Sequence, residues 1–199
     1  MQYETILVTT TINVPTFLQA VCENARNHGR QDLAIIVIGD VKTPNTVSSF
    51  CDSVSSDTGI TIDFYDLDAQ RSALVNYPEL LELMPLNSGS RKMIGNFLAY
   101  LKGCERLIML DDDNFVLDND FFGSYDLVGK TAEIDLIDSE SGWYNIYEAL
   151  IEKNSIPFYP RGFPWSERGF TSSDVKFKKE RKEVVLVNGL VLNDPDIDA

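Results

Sequence analysis

The chain has 199 residues, 44% of them apolar, enough for one large domain or two closely packed halves around a sizeable core. Its 17 Lys and Arg against 31 Asp and Glu leave a net charge of -14, which opposes any surface that must lie along phosphate backbones or anionic lipid. Nucleic acid and membrane are therefore excluded as expected partners.

The first residues, MQYETILVTTTINVPTF, place an acid where a signal peptide carries bases. No stretch approaches the roughly 20 apolar residues of a membrane span. Cys22, Cys51 and Cys104 are odd in number and widely spaced, a pattern of reduced thiols rather than a disulfide framework or a zinc site. The expectation is a soluble, cytoplasmic protein.

Residues 4–10 form a β-branched run that reads as a buried strand, and 15–28 follow with Phe17, Leu18, Val21 and Ala25 at helical spacing. His28, the only histidine, precedes Gly29 and reads as a helix C-cap, not a catalyst. A second strand spans 33–38 and closes on Gly39 and Asp40; Pro44 opens a short helix running to 54. Residues 60–65 make a third strand. From 71 to 89 the chain is less regular, with one helical stretch at 79–84 between Pro78 and Pro85. Residues 90–103 read as a helix with Met93, Ile94, Phe97, Leu98 and Leu101 on one face, delivering the chain to a strand at 106–110.

Beyond Asn114 aromatic residues cluster, turns multiply, and 174–183 is a charged segment expected to be exposed. The alternation over 4–113 predicts a three-layer α/β sandwich on a mainly parallel central sheet, whose ligands bind beyond the carboxyl ends of the strands. The expected division is an α/β half at 1–114 and an acceptor-side half of the same domain at 115–199.

The stretch LIMLDDDNFV at 107–116 sets Asp111, Asp112 and Asp113 at the end of the fourth strand, on that ligand edge. If the strand persists, Asp111 and Asp113 project to one side and Asp112 to the other. Adjacent carboxylates repel, and the remedies are protonation, a basic partner or a hard divalent cation; Mg²⁺ or Mn²⁺ with a diphosphate suits one or two carboxylates. A solvated acidic turn is the plainer alternative.

This stretch, with YPRGFPWSERG at 159–169, NGLVLNDPDIDA at 188–199 and GDVKTP at 39–44, resembles the DxD-bearing glycosyltransferases of the GT-A (Rossmann-like) fold. The closer resemblance is to the reversibly glycosylated polypeptide family, which includes UDP-arabinopyranose mutases. That family has a DDD at a strand end, an RGYPFS-like segment and a GLWLNIPDYDA-like segment, in this order. Its members are considerably longer, so the chain is expected to be either a compact relative or a fragment.

The resemblance implies a nucleotide-sugar donor, a UDP-sugar first, and a glycosyl acceptor that is not identified. It assigns Asp111 to the ribose, Asp111 and Asp113 to Mn²⁺ or Mg²⁺, and Asp112 to either. Thr10 and Thr11 would receive the nucleoside and Asp40 the base N–H; for Thr11 helix capping is an equal alternative. Arg91 and Lys92 open a helix, where the dipole disfavours cations, so diphosphate recognition and a surface ion pair both remain readings. Arg161 matches the arginine said to carry the sugar in self-glycosylating members, although a guanidinium with a pKa above about 12 is a poor nucleophile and better suited to binding anions. Phe163 and Trp165 stand where the family has Tyr and Phe, keeping an apolar wall.

Asp194, Asp196 and Asp198 would supply a third metal ligand or, through Asp196 and Asp198, catalytic carboxylates, with an Asp-Pro turn as the alternative. Trp143 and Trp165 are expected in the core rather than as sugar platforms. The resulting expectation is a metal-dependent glycosyltransferase. The alternatives are a UDP-sugar pyranose/furanose mutase with reversible self-glycosylation, or a non-catalytic nucleotide-sugar-binding subunit. Homo-oligomer formation is left open.

Overall fold

The computed structural model of the chain describes residues 3–149, 159–168 and 175–189. Two compact units divide it, Met1–Asp126 and Leu127–Ala199. The expected division after residue 114 falls inside the first of them.

The first unit is built on four parallel strands, β1 (Thr5–Thr11), β2 (Leu33–Gly39), β3 (Thr61–Tyr65) and β4 (Arg106–Met109), in the spatial order β3-β2-β1-β4. β1 and β2 sit centrally and are apolar on both faces, as strands covered by helices on each side must be. Side-chain alternation divides the core between the two faces. Leu7, Ile35 and Val37 pack against α1 (Phe17–Asn27) and α2 (Thr46–Thr58). Ile6, Val8, Ile36 and Ile38 pack under α5 (Lys92–Lys102), with Leu74 from the end of α3 (Leu67–Ala73). The result is a mixed α/β unit with a four-stranded parallel sheet flanked by helices, compatible with a Rossmann-like fold.

α1 ends as its sequence suggests: His28 is the C-cap, its N–H donating to Asn24 O, and Gly29 follows at φ +71°. α2 starts at Thr46, two residues beyond Pro44, and runs to Thr58 rather than 54. α3 lies in the stretch expected to be irregular; Asp66 caps it by accepting from Ala69 N at 2.7 Å. α4 spans Pro78–Leu83 with the proline in its first turn. α5 comes so close to the sheet that Gly95 lies over Val8 and Ile38, where a side chain has no room.

β4 pairs with β1 only as far as Met109 opposite Val8, so Thr9 to Thr11 run past the end of their neighbour. The chain after β4 returns over α1. Asn24 Nδ2 donates to Leu117 O and Asn119 O, at 2.9 and 2.8 Å, and Asn24 Oδ1 accepts from Phe121 N. Arg30 clamps Asp120 and Asp126, and Arg106 holds Asp126 at 3.1 Å and Glu4 at 2.7 Å.

In the second unit β5 (Thr131–Ser139) and β6 (Val175–Glu183) form an antiparallel pair. Within the charged segment expected at 174–183, Val175–Glu183 is thus a strand. Three of its bases meet acids across the ladder, Lys176 facing Asp138, Lys179 facing Asp135 and Arg181 facing Glu133, which offsets the poor strand preference of Lys. Trp143 and Trp165 are not core residues: they are 48% and 77% exposed. Trp165 instead carries the Arg168 guanidinium 3.8 Å above its ring, a cation–π contact, while Phe163 takes the buried position.

Among the described residues no helix is long and apolar enough to cross a membrane. Cys22, Cys51 and Cys104 are free thiols; burial pushes Cys22 up to about 11 and Cys51 up to about 12, which keeps both protonated and unreactive at neutral pH.

Candidate functional site

A cavity of about 220 Å³ opens at the carboxyl edge of the sheet in the first unit. Four segments reach it. β1 ends there with Thr10 and Thr11, and β2 with Gly39 and Asp40; the turn before α5 brings Ser88 and Arg91, and the acidic turn after β4 brings Asp112. Parallel strands deliver all their carboxyl ends to one side, so residues far apart in sequence meet there.

The walls are tied by hydrogen bonds that begin in the strand ends. Thr43 Oγ1 accepts from Asp40 N at 2.7 Å and donates to Thr11 O at 2.6 Å, joining β1 to the loop after β2. The Asp40 carboxylate accepts from Val41 N at 2.7 Å and Ser88 N at 3.2 Å, joining that loop to the turn before α5. Each oxygen keeps a further acceptor site. The Thr11 hydroxyl is shared between Asn13 O, at 2.8 Å, and Asp112 Oδ2, at 2.7 Å, so Thr11 caps no helix through its side chain.

Arg91 is not the surface ion pair that the helix position allowed. It is 4% exposed, and its guanidinium donates to two neutral acceptors, Met84 O at 3.1 Å and the Gln70 side-chain oxygen. Its Nε has no hydrogen-bond partner. Burial lowers its pKa from the usual value, opposed by the Asp40 charge, yet an arginine remains protonated at neutral pH. A buried cation with an unused donor beside a cavity favours an anionic ligand there.

The three adjacent carboxylates take three different partners. β4 stops at Met109, and Asn114 N donates to Asp111 O across a turn, so the strand alternation does not reach Asp111 to Asp113. Asp111 pairs with Lys92, Asp112 is held by Thr11, and Asp113 is exposed, accepting from Asn114 Nδ2 at 2.9 Å. Lys92 is therefore the ion-paired member of the Arg91–Lys92 couple. Among the described residues no three His, Cys, Asp or Glu side chains come together in a way that could hold a metal ion.

Arg161 is exposed in a turn of the second unit, before Phe163. Asp194, Asp196 and Asp198 lie outside the described residues.

Gln70, Thr43 and Ser88 were absent from the sequence-based expectation. Gln70, fully buried on α3, donates to Gly39 O at 2.8 Å and Tyr65 O at 2.9 Å while accepting from Arg91, so it links two strand ends to the guanidinium. The capping signal of Asp66 before Leu67 could have marked α3; nothing local marks the long-range role of Gln70. No protein-family model matches the chain, and no curated protein matches it.

Proposed function

We propose that the chain is a GT-A-type glycosyltransferase that binds a nucleotide sugar, in the first instance a UDP-sugar, and transfers the glycosyl group to an acceptor. The observation that carries the reading is the convergence of Asp40, Thr10, Thr11, Asp112 and the buried Arg91 on one cavity at the carboxyl edge of the parallel sheet. Asp40 offers acceptor oxygens for a base N–H, Asp112 for ribose hydroxyls, and Arg91 a fixed positive charge for the diphosphate. Lys42, on the exposed rim, adds a second cation.

In transfer, the bond from the anomeric carbon to the diphosphate oxygen breaks and the acceptor hydroxyl bonds to that carbon, losing its proton. Negative charge grows on the departing diphosphate. Cations held in place before the reaction stabilise that charge without reorganising. In the free protein Asp111, Asp112 and Asp113 are engaged by Lys92, Thr11 and Asn114, and the cations that line the cavity are Arg91 and Lys42.

The test is titration of the protein with UDP, followed by incubation with radiolabelled UDP-sugars. Binding in the micromolar range, weakened about tenfold or more in Asp40→Asn, is expected from loss of one charged hydrogen bond. Label transferred to an added acceptor supports the transferase. Label retained on the protein and chased by UDP supports the mutase instead, and binding without turnover supports a carrier subunit. No binding of UDP overturns the reading.

A further inference from the structure

The first residue of α5 is a lysine, in a position where the positive end of the helix dipole makes a cation unfavourable. The Lys92 side chain is nevertheless 16% exposed, withdrawn from water, and its ammonium lies on Asp111, which is itself 67% exposed. Asp111 begins the run of carboxylates at which repulsion calls for a counter-charge, and the neighbouring Asp112 is already engaged by the Thr11 hydroxyl.

We infer that Lys92 occupies, as part of the chain itself, the place a divalent cation would take at Asp111. A protonated lysine offers three donors and no lone pair, so it cannot share that carboxylate with a metal as a fellow ligand. An arriving divalent ion would have to break the ion pair and then face the displaced ammonium at short range, where like charges repel most strongly. The free protein therefore holds no tight divalent site at the acidic turn while Lys92 is in place. This rests on the donor-site reading in one respect: it gives the acidic turn, whose Asp112 lines the donor cavity, a lysine rather than a metal as the counter-charge of Asp111.

The experiment is titration of the full chain with MnCl₂ in the absence of nucleotide, followed by calorimetry or by the electron paramagnetic signal of free Mn²⁺. Lys92→Gln is expected to bind Mn²⁺ at least about tenfold more tightly than the wild type, the effect of removing one close positive charge. The double variant Lys92→Gln/Asp111→Asn loses that gain, and Lys92→Arg, which keeps the charge, binds as the wild type does. Lys102→Gln makes the same change in net charge at a lysine paired with Asp63 at 3.1 Å, and stays within about twofold of wild type, because a distant charge is screened. Thermal melting of each variant confirms the fold.

Equal Mn²⁺ affinity in wild type and Lys92→Gln overturns the inference, as does an equal gain in Lys102→Gln or a gain that survives Asp111→Asn. A parallel titration with UDP in chelator separates the two ideas: failure to bind UDP removes the donor reading, while the Mn²⁺ series decides the role of Lys92.

Discussion

Gln70 and Arg91 form a hydrogen-bonded pair beneath the candidate site, with the glutamine also anchored to the carbonyl ends of β2 and β3. Its substitution by Leu keeps the volume and removes every bond. Two carbonyls and one guanidinium nitrogen would then be buried without partners, at a cost of about 2 to 3 kcal/mol in unfolding free energy. Urea denaturation measures that loss. Because Arg91 would lose one of its two holding contacts, UDP affinity should fall as well; a destabilised variant that binds UDP as tightly as wild type would show that Arg91 needs no positioning.

Gly95 illustrates a conflict between local preference and packing. Alanine is better than glycine inside a helix by up to about 1 kcal/mol. Here its Cβ would lie 2.5 Å from Val8 Cγ1 and 3.0 Å from Ile38 Cγ1, both on side chains sealed in the core. Overpacking of this kind costs about 1 to 3 kcal/mol, so Gly95→Ala should be net destabilising. Adding Val8→Ala should recover part of the loss, a coupling that a double-mutant cycle in urea would detect.

The same contrast explains what could be read from the sequence. The sheet was legible because β1 and β2 are uninterrupted β-branched runs, buried on both faces. The carboxyl-edge rule then points to Thr10, Thr11 and Asp40 from the order of elements alone. α3 was missed because seven residues carry too little periodicity, and β6 because its strand character lies in charges paired with β5. In the site, the acidic run was visible, but the partners of its carboxylates were not. Lys92 and Asp111 are joined only through the packing of α5 on β1 and β2, and the end of β4 at Met109 cancels the strand alternation for the carboxylates that follow.

Asp120 should give the fold a specific acid sensitivity. The hydrogen-bonded Arg30 guanidinium holds its carboxyl below the usual carboxylate range. A carboxyl depressed in the folded state contributes stability above its unfolded pKa, near ~3.9, and loses it as pH falls through the folded value. Wild type should therefore exceed Asp120→Asn in stability at neutral pH, with the gap closing below about pH 4. Urea midpoints across that range would show it. A gap independent of pH would mean that the Arg30–Asp120 pair contributes only its shape.

Thr11 joins the end of β1 to the acidic turn through one hydroxyl. Its Oγ1 accepts from Asn13 N at 3.0 Å and is shared as a donor between Asn13 O and Asp112 Oδ2. Thr11→Val has nearly the same shape and none of these bonds, so Asp112 loses the hydroxyl donor that holds it at the cavity wall without any cavity being created in the core. If Asp112 must be held in place to accept from ribose hydroxyls, UDP affinity should drop about fivefold to tenfold, the equivalent of one hydrogen bond. Thr11→Ser, which restores the hydroxyl, should recover most of it. A valine variant that binds UDP normally would show that the Thr11–Asp112 bond stabilises the turn and not the ligand, and would move the ribose contact away from Asp112.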